Sequence, residues 1–152
     1  MCGIAGIITK REEKEELITK MSERIKHRGP DGEGYFIDDD IALAHRRLSI
    51  IDLSTGNQPM FNEDKSVVIV YNGEIYNYKE LKEELLNLGH TFTTTSDTEV
   101  LVHGFEEWHT DLPKHLRGMF AFAIYDKNSK ELFLARDNFG IKPLYYAYMN
   151  DT

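Results

Sequence analysis

The sequence has little cysteine, no excess of basic residues and no long hydrophobic run, and each of these absences excludes a class of protein. One cysteine in 152 residues rules out an internal disulfide framework, which is typical of small secreted domains. Lys and Arg number 18 against 26 Asp and Glu, a net charge of -8, which opposes nucleic-acid binding because affinity for phosphates comes mainly from cations. The longest apolar stretch, residues 119–125, is far too short to span a bilayer. We therefore expect a cytoplasmic protein with no nucleic-acid partner and no membrane partner.

The hydrophobic periodicity predicts strands and helices that come in groups rather than in strict alternation. Helices are predicted at residues 12–25, at residues 78–88, and from a capping-box pattern at residues 96–99 onward to Trp108. Strands are predicted at residues 3–9, 35–37, 41–44, 66–71, 91–95, 119–125, 132–136 and 144–148. Grouped elements of this kind favour an α+β fold with stacked layers and largely antiparallel sheets.

The single cysteine is Cys2, directly behind the initiator methionine and ahead of an apolar strand. Once Met1 is removed, the thiol and a free α-amine lie on the same residue. An α-amine titrates near ~7.7 and a thiol near ~8.5, so neither group is far from neutrality. The amine can therefore take the thiol proton and later return it to a leaving group, with no histidine or aspartate partner. This position indicates a nucleophile that carries its own base.

Seven motifs occur in order along the chain: MCGIAG, HRGPDGEG, RLSIIDLSTGNQP, VYNGEIYNY, TTSDTEVL, GMFAFAIYD and ARDNFGIKPLYY. Together they resemble the glutamine amidotransferase domain (class II, N-terminal nucleophile) of glutamine-hydrolysing asparagine synthase. The resemblance runs from Met1 to about Tyr148. RLSIIDLSTGNQP favours asparagine synthases over the related glucosamine-phosphate and phosphoribosylamine enzymes, and a glutaminase domain of another class II amidotransferase is the alternative.

The resemblance implies a fold and a reaction. The fold is a four-layer αββα sandwich of the N-terminal-nucleophile hydrolase type, and residues 1–152 form one glutaminase domain. In the reaction, Cys2 attacks the side-chain amide of L-glutamine and forms a thioester, and the released ammonia passes to an ATP-dependent asparagine-forming domain or subunit. No cofactor is implied in this domain, and ATP and Mg are implied only in the partner. The family's synthetase domain is absent from this sequence and its amidotransferase domain continues with further strands, so we expect a fragment, a split subunit or a C-terminally shortened domain.

The resemblance also implies a role for individual residues. Asn72 and the backbone N–H of Gly73 would stabilise the oxyanion, and Arg47 would bind the glutamine carboxylate. Asp97, supported by Glu74, would bind the α-amine. From its place in HRGPDG, we also expect Arg28 to order the loop around Cys2. The same pocket would be lined by the backbone of four further residues, Leu48, Ser49, Ile50 and Ile51.

Three of these assignments have a simpler structural alternative. Asn72-Gly73 is also a hairpin-turn pattern, and Asp97 is also a favourable residue in the first turn of a helix. For Arg47 the alternative is a solvated surface arginine, which is the state that we predict for Arg46. The tyrosines at 145, 146 and 148 are interpreted as core or as a subunit face, and a homodimer is allowed for.

Two rival functions remain open at the level of sequence. The first is a Cys-His thiol hydrolase that pairs Cys2 with His27 or His45. The second is an amidotransferase-like module that binds amino acids or a partner without catalysis. The six histidines are scattered, without a Cys or HExxH context, so the sequence predicts no metal site.

Overall fold

The computed structural model of this chain describes residues 1–48 and 56–149, and it contains two antiparallel sheets. The first sheet is formed by β1 (Gly3–Ile8), β2 (Gly32–Ile37) and β3 (Ile41–Arg47) in the order β1-β3-β2. The second sheet has the order β4-β5-β6-β7 and is formed by β4 (Met60–Phe61), β5 (Val67–Ile75), β6 (Gly118–Asp126) and β7 (Glu131–Arg136). The helices are α1 (Lys14–Arg24), α2 (Tyr78–Asn87), α3 (Asp97–Trp108) and the short α4 (Leu112–His115).

Three apolar clusters join these elements into four layers. Ile18 of α1 packs on Ala42 and Ala44 of the first sheet. A second cluster lies between the two sheets and contains Leu43 and Val70. The third and largest cluster packs α2 and α3 on the outer face of the second sheet. The predicted αββα sandwich with antiparallel sheets is therefore confirmed.

Side-chain alternation along the strands sends chemically different residues to the two faces of each sheet. On β5, Val68 and Val70 face the first sheet, and the next residues on that face are Asn72 and Glu74. Tyr71, on the opposite face, belongs to the cluster beneath α2 and α3. The inter-sheet face of β5 thus changes from apolar to polar along one strand.

The Asn72-Gly73 pair is not a turn, because β5 continues through it to Ile75. Asn72 pairs with Ala121 and Gly73 with Phe120 in the ladder to β6. A Cβ on Gly73 would lie 2.3 Å from the carbonyl oxygen of Met119. Glycine is required here by the close approach of the neighbouring strand, so the turn interpretation is wrong.

Two predicted strands are also wrong. Residues 91–95 form no strand, because Glu99 accepts hydrogen bonds from the backbone N–H groups of Thr93 and Thr94, each at 2.7 Å. These N–H groups are therefore not available for the hydrogen bonds that a β-strand makes with a neighbouring strand. Residues 144–148 form no strand either, and Tyr145, Tyr146 and Tyr148 are 91%, 74% and 94% exposed, which excludes them from the core of the described structure.

One prediction about exposure also needs correction. Arg46 is only 4% exposed, because its guanidinium bonds Ser22 and pairs with Glu23 and Glu33, which clamps α1 onto the first sheet. In α1, Ser22 is buried beneath Arg46, whereas Met21 is 37% exposed. Among the described residues, no helix is long and apolar enough to cross a membrane.

Candidate active site

A cavity of about 160 Å³ opens where the two sheets meet the start of α3. This volume is small beside the ~300–1,000 Å³ of sites for drug-sized ligands, and it suits a ligand of amino-acid size. The polar end of the space between the sheets forms its walls. Its described lining consists of Met1, Cys2, His45, Arg47, Leu48, Gly56, Gln58, Tyr71, Asn72, Gly73, Glu74, Ser96, Asp97, Thr98, Met119 and Lys142.

Cys2 lies immediately before β1, where the ladder to β3 holds it beside the end of that strand. Its Sγ accepts a hydrogen bond from the backbone N–H of Leu48 at 3.4 Å and lies 3.8 Å from the Leu48 carbonyl oxygen. The Nε of Arg28 donates to the Cys2 carbonyl at 3.1 Å. Two elements distant in sequence therefore fix the position of the thiol at the chain terminus.

Met1 contacts a residue that is far away in sequence. Its Sδ is 3.0 Å from the Nζ of Lys142, a lysine that is only 4% exposed. Both side chains line the cavity. Met1 therefore occupies part of the space beside the thiol, and its peptide bond makes the Cys2 nitrogen an amide.

Arg47 and Asp97 supply opposite charges to the cavity. Arg47 is the last residue of β3, and its Nη1 donates to Oδ1 of Asn57 at 2.7 Å. Asp97 is the first residue of α3, behind Ser96, whose hydroxyl caps the helix by accepting from the N–H of Thr98. Asp97 is thus a first-turn residue and a cavity residue at once, so both interpretations of it hold.

The Asp97 carboxylate is held by two donors and is partly shielded from solvent. Its Oδ2 accepts from the Tyr71 hydroxyl and from the backbone N–H of Ile75, both at 2.9 Å. Burial, together with the charge of Glu74, raises the pKa of Asp97 above its ordinary value, although these two hydrogen bonds act in the other direction. A half-buried carboxylate of this kind gains from a cation beside it, such as an ammonium group.

Asn72 and Gly73 present donors at the same place. Asn72 is 5% exposed and lines the cavity. The N–H groups of Tyr71 and Ile75 donate to Gln58 and Asp97, on the side of β5 away from β6. N–H groups two residues apart on a strand point to the same edge, so the N–H of Gly73 points to that edge as well.

The comparisons with known proteins agree with this geometry. A family model described as a glutamine amidotransferase domain matches residues 1–152. The chain belongs to the glutamine amidotransferase domain family. Two relatives of this amidotransferase domain are "Asparagine synthetase [glutamine-hydrolyzing] 1" of Bacillus subtilis, 51% identical over 99% of this chain and 25% of the relative, and "Asparagine synthetase [glutamine-hydrolyzing]" of Zea mays, 45% identical over 97% of this chain and 25% of the relative.

The amidotransferase domain therefore spans about a quarter of the length of these curated relatives. A solved structure, the allosteric regulatory enzyme of purine biosynthesis, superposes with a TM-score of 0.77 over 94% of this chain and 38% of its own, at 23% sequence identity. This likeness supports the fold of the amidotransferase domain.

The structure brings most of the predicted site residues of the amidotransferase domain together. Cys2, Arg47, Leu48, Asn72, Gly73, Glu74 and Asp97 line the cavity, and Arg28 contacts the Cys2 backbone. Ser49, Ile50 and Ile51 lie outside the described residues. His27 is exposed and is not among the described lining residues.

Sequence reasoning missed Gln58 and Tyr71 as parts of the site. Gln58 accepts from the Tyr71 N–H at 2.6 Å and donates to the Thr98 hydroxyl at 3.4 Å, which ties β5 to the start of α3. Tyr71 belongs to an apolar strand pattern, so only its phenol oxygen could have indicated a polar role. Burial and the Asp97 carboxylate raise the pKa of Tyr71 well above its ordinary value, so the phenol stays a donor.

Proposed function

We propose that this chain hydrolyses the side-chain amide of L-glutamine through a thioester on Cys2. The observation that supports this most strongly is that the only thiol, two opposite charges and a pair of oxyanion donors line one cavity. These are the groups that amide hydrolysis of a zwitterionic amino acid requires. The names of the relatives, which describe glutamine hydrolysis, point to the same reaction.

The charged walls orient the substrate. Arg47 binds the α-carboxylate of glutamine, because a guanidinium can hold a carboxylate through two parallel hydrogen bonds. Asp97 binds the α-ammonium group, and Glu74 adds negative charge beside it. The side-chain amide is then directed towards Cys2 at the end of the first sheet.

The chemistry uses the terminal amine as acid and base. After Met1 is removed, the amine takes the thiol proton and the sulfur attacks the amide carbon. The oxyanion receives hydrogen bonds from the Asn72 side chain and the Gly73 N–H, and the amine returns the proton to the departing ammonia. Water then cleaves the thioester and releases glutamate.

The environment of His45 argues against the rival Cys-His mechanism. This ring is 1% exposed, and burial, together with the charge of Arg47, lowers its pKa to about 4 although the Tyr71 backbone acts in the other direction. A base this weak is poorly suited to accept a proton from the thiol. The terminal amine of the processed chain lies on the same residue as the thiol and needs no such partner.

We further propose that the ammonia serves an ATP-dependent asparagine-forming domain or subunit. The relatives are about four times longer than this chain, so most of their length lies outside the matched domain. ATP and Mg would act in that partner, and this domain would need no cofactor. A homodimer remains compatible with the exposed tyrosines at 145, 146 and 148.

The decisive experiment compares one chain before and after its amino terminus is freed. A removable tag fused directly ahead of Cys2 keeps its nitrogen as an amide, and protease cleavage then exposes the amine. We expect glutamate and ammonia only after cleavage, and no asparagine from either form. Glutamate from the uncut chain would overturn the amine mechanism. Asparagine from the isolated chain would contradict the proposal that a separate domain or subunit forms it.

A glutamine-analogue electrophile provides the second test. Intact-mass spectrometry of the cleaved chain should show one adduct, and fragmentation should place it on Cys2. The Cys2→Ala chain is the matched control and should stay unmodified. A stable chain that binds glutamine but neither reacts nor releases glutamate would support the non-catalytic binding module instead.

A further inference from the structure

A second group of potential ligands lies outside the cavity. It consists of Glu63 in the turn between β4 and β5, His90 after α2, and His103 and Glu106 on α3; we call these four residues the histidine–glutamate cluster. None of them is among the described residues that line the cavity. One ligand atom from each of Glu63, His90 and His103 lies within 4.8 Å of the other two. Three separate parts of the chain therefore converge on one point.

The distances within the cluster suit a bound metal ion. The Oε2 of Glu106 lies 3.0 Å from Nδ1 of His103 and 3.8 Å from Nδ1 of His90. The Oε2 of Glu63 lies 3.9 Å from Nδ1 of His103. Zinc bonds of ~2.0–2.2 Å in a tetrahedron place neighbouring ligand atoms about 3.3–3.6 Å apart. The observed separations bracket this range.

The surroundings hold the ligands as metal sites usually do. The Nε2 of His90 is 2.8 Å from Oε1 of Glu107, which leaves Nδ1 directed at Glu106. The amide nitrogen of Asn62 donates to the other oxygen of Glu106 at 2.8 Å. Metal-bound histidines almost always donate their second nitrogen to a carboxylate, a carbonyl or water. Such contacts fix the tautomer and the direction of the metal-binding atom.

Charge and burial favour a cation at this point. His103 is 1% exposed, and its Nδ1 faces the carboxylates of Glu63 and Glu106. Its ring faces carboxylates from Glu63, Glu99 and Glu106, and these raise its pKa although burial acts in the opposite direction. Carboxylates from several positions thus surround the two imidazoles of the cluster.

We infer that Glu63, His90, His103 and Glu106 form a binding site for a divalent transition-metal ion of the zinc class. Two imidazoles and carboxylate oxygens are ligands that such ions accept, whereas Mg²⁺ and Ca²⁺ prefer oxygen alone. The ion ties the β4–β5 turn and the segment after α2 to α3. Asp97 begins that same helix, so the site braces the element that carries a cavity residue. This inference stands independently of the proposed glutaminase reaction.

Zinc titration of the full chain tests the site. The chain is stripped with EDTA and carries Cys2→Ala, because a free thiol also binds zinc. Near neutral pH, calorimetry should give one ion per chain, and the melting temperature should rise with zinc concentration. Co²⁺ should give the intense visible absorption of a tetrahedral site with nitrogen ligands.

Variants separate the site from adventitious binding. His90→Asn and Glu63→Gln remove ligands that are not fully buried, and each should weaken zinc binding by more than about 100-fold. Glu107→Gln should weaken it by about 10- to 100-fold, the range for a carboxylate that orients a metal-bound histidine. His27→Asn, which removes an exposed histidine elsewhere, should leave the affinity unchanged.

Two outcomes would overturn the inference. One is the absence of one-to-one binding at millimolar zinc in a folded chain, and the other is binding that His90→Asn and Glu63→Gln leave unchanged.

Discussion

The space between the two sheets has an apolar half and a polar half, and the same strand faces build both. The inter-sheet face of β5 changes from valine to Asn72 and Glu74, and that of β3 changes from aliphatic residues to His45 and Arg47. The apolar half is filled and buries its side chains. The polar half leaves a cavity, with Cys2 at its edge.

This difference shows that one alternation pattern can serve both stability and chemistry. Burying an apolar side chain contributes about 1.5–3 kcal/mol, whereas a desolvated carboxylate such as Asp97 opposes folding in its ionised form. The two halves should therefore respond differently to substitution. Changes in the polar half should act on the reaction, and changes in the apolar half should act on the free energy of unfolding.

The largest effect is expected from Cys2→Ala, which removes the proposed nucleophile. Glutamate release should fall to background, since no other thiol exists in the chain. The melting temperature should stay close to that of the parent chain, because a methyl group remains where the thiol contacted Leu48. The check is a glutamate assay beside a thermal melt; measurable turnover by the variant would remove Cys2 from the mechanism.

Asp97→Asn should weaken glutamine binding, because the amide cannot pair with an ammonium group. Loss of a buried charge partner costs about 2–5 kcal/mol, which corresponds to a rise in KM of roughly 30- to 5,000-fold. Asn can still accept the bonds from Tyr71 and Ile75, so the fold should persist. A KM close to the parent value would mean that another group binds the amine.

The same variant should also change the pH dependence. Because the folded-state pKa of Asp97 is raised, stability declines as the pH rises through the window between its ordinary value and its folded value. Glutamine binding needs the ionised form, so in the parent chain it should decline as the pH falls through the folded value. Asp97→Asn should abolish both slopes, as thermal melts and KM measured across pH would reveal.

Asn72→Ala should slow turnover more than it weakens binding. An oxyanion donor acts mainly in the transition state, and its removal costs about 2.7–4 kcal/mol, or roughly 100- to 1,000-fold in kcat. Steady-state kinetics separate the two effects. Normal kcat with a raised KM would instead assign Asn72 to substrate binding.

The smallest effect is expected from Ile41→Val in the apolar half. Ile41 is 1% exposed between the sheets, and loss of one buried methylene typically costs about 0.5–1.5 kcal/mol. Urea unfolding should show this loss, while kcat/KM should stay within a factor of two. A large loss of activity in a folded variant would mean that the two halves are not separable.

Most of the fold could be predicted from the sequence, because β1, β3, β5 and β6 are apolar enough to be recognised from their residue pattern alone. The layer order followed from the resemblance and from the grouping of elements. The segment at residues 91–95 escaped prediction because Glu99, on the following helix, captures its N–H groups. Such a side-chain contact cannot be recognised from the hydrophobic periodicity of the sequence.

The candidate site was predicted unevenly for a similar reason. Cys2, Asn72 and Asp97 stand in motifs, so their proximity could be expected. Arg46 and Arg47 are adjacent and chemically identical, and only strand alternation sends one to α1 and the other to the cavity. His90 and His103 are separated in sequence without a metal-binding spacing, so their convergence depends on tertiary structure.

The contact between Met1 and Lys142 joins two residues that are synthesised at different times. The two residues are 141 positions apart, and a ribosome adds about 5–20 residues per second. The amino terminus is therefore synthesised roughly 7–28 s before the lysine that it contacts in the finished domain. Throughout that interval Lys142 does not yet exist, and the methionine stands free of it. The proposed mechanism requires the removal of Met1. The nascent chain is available for this step for many seconds before the residues that surround Met1 in the folded domain have all been synthesised.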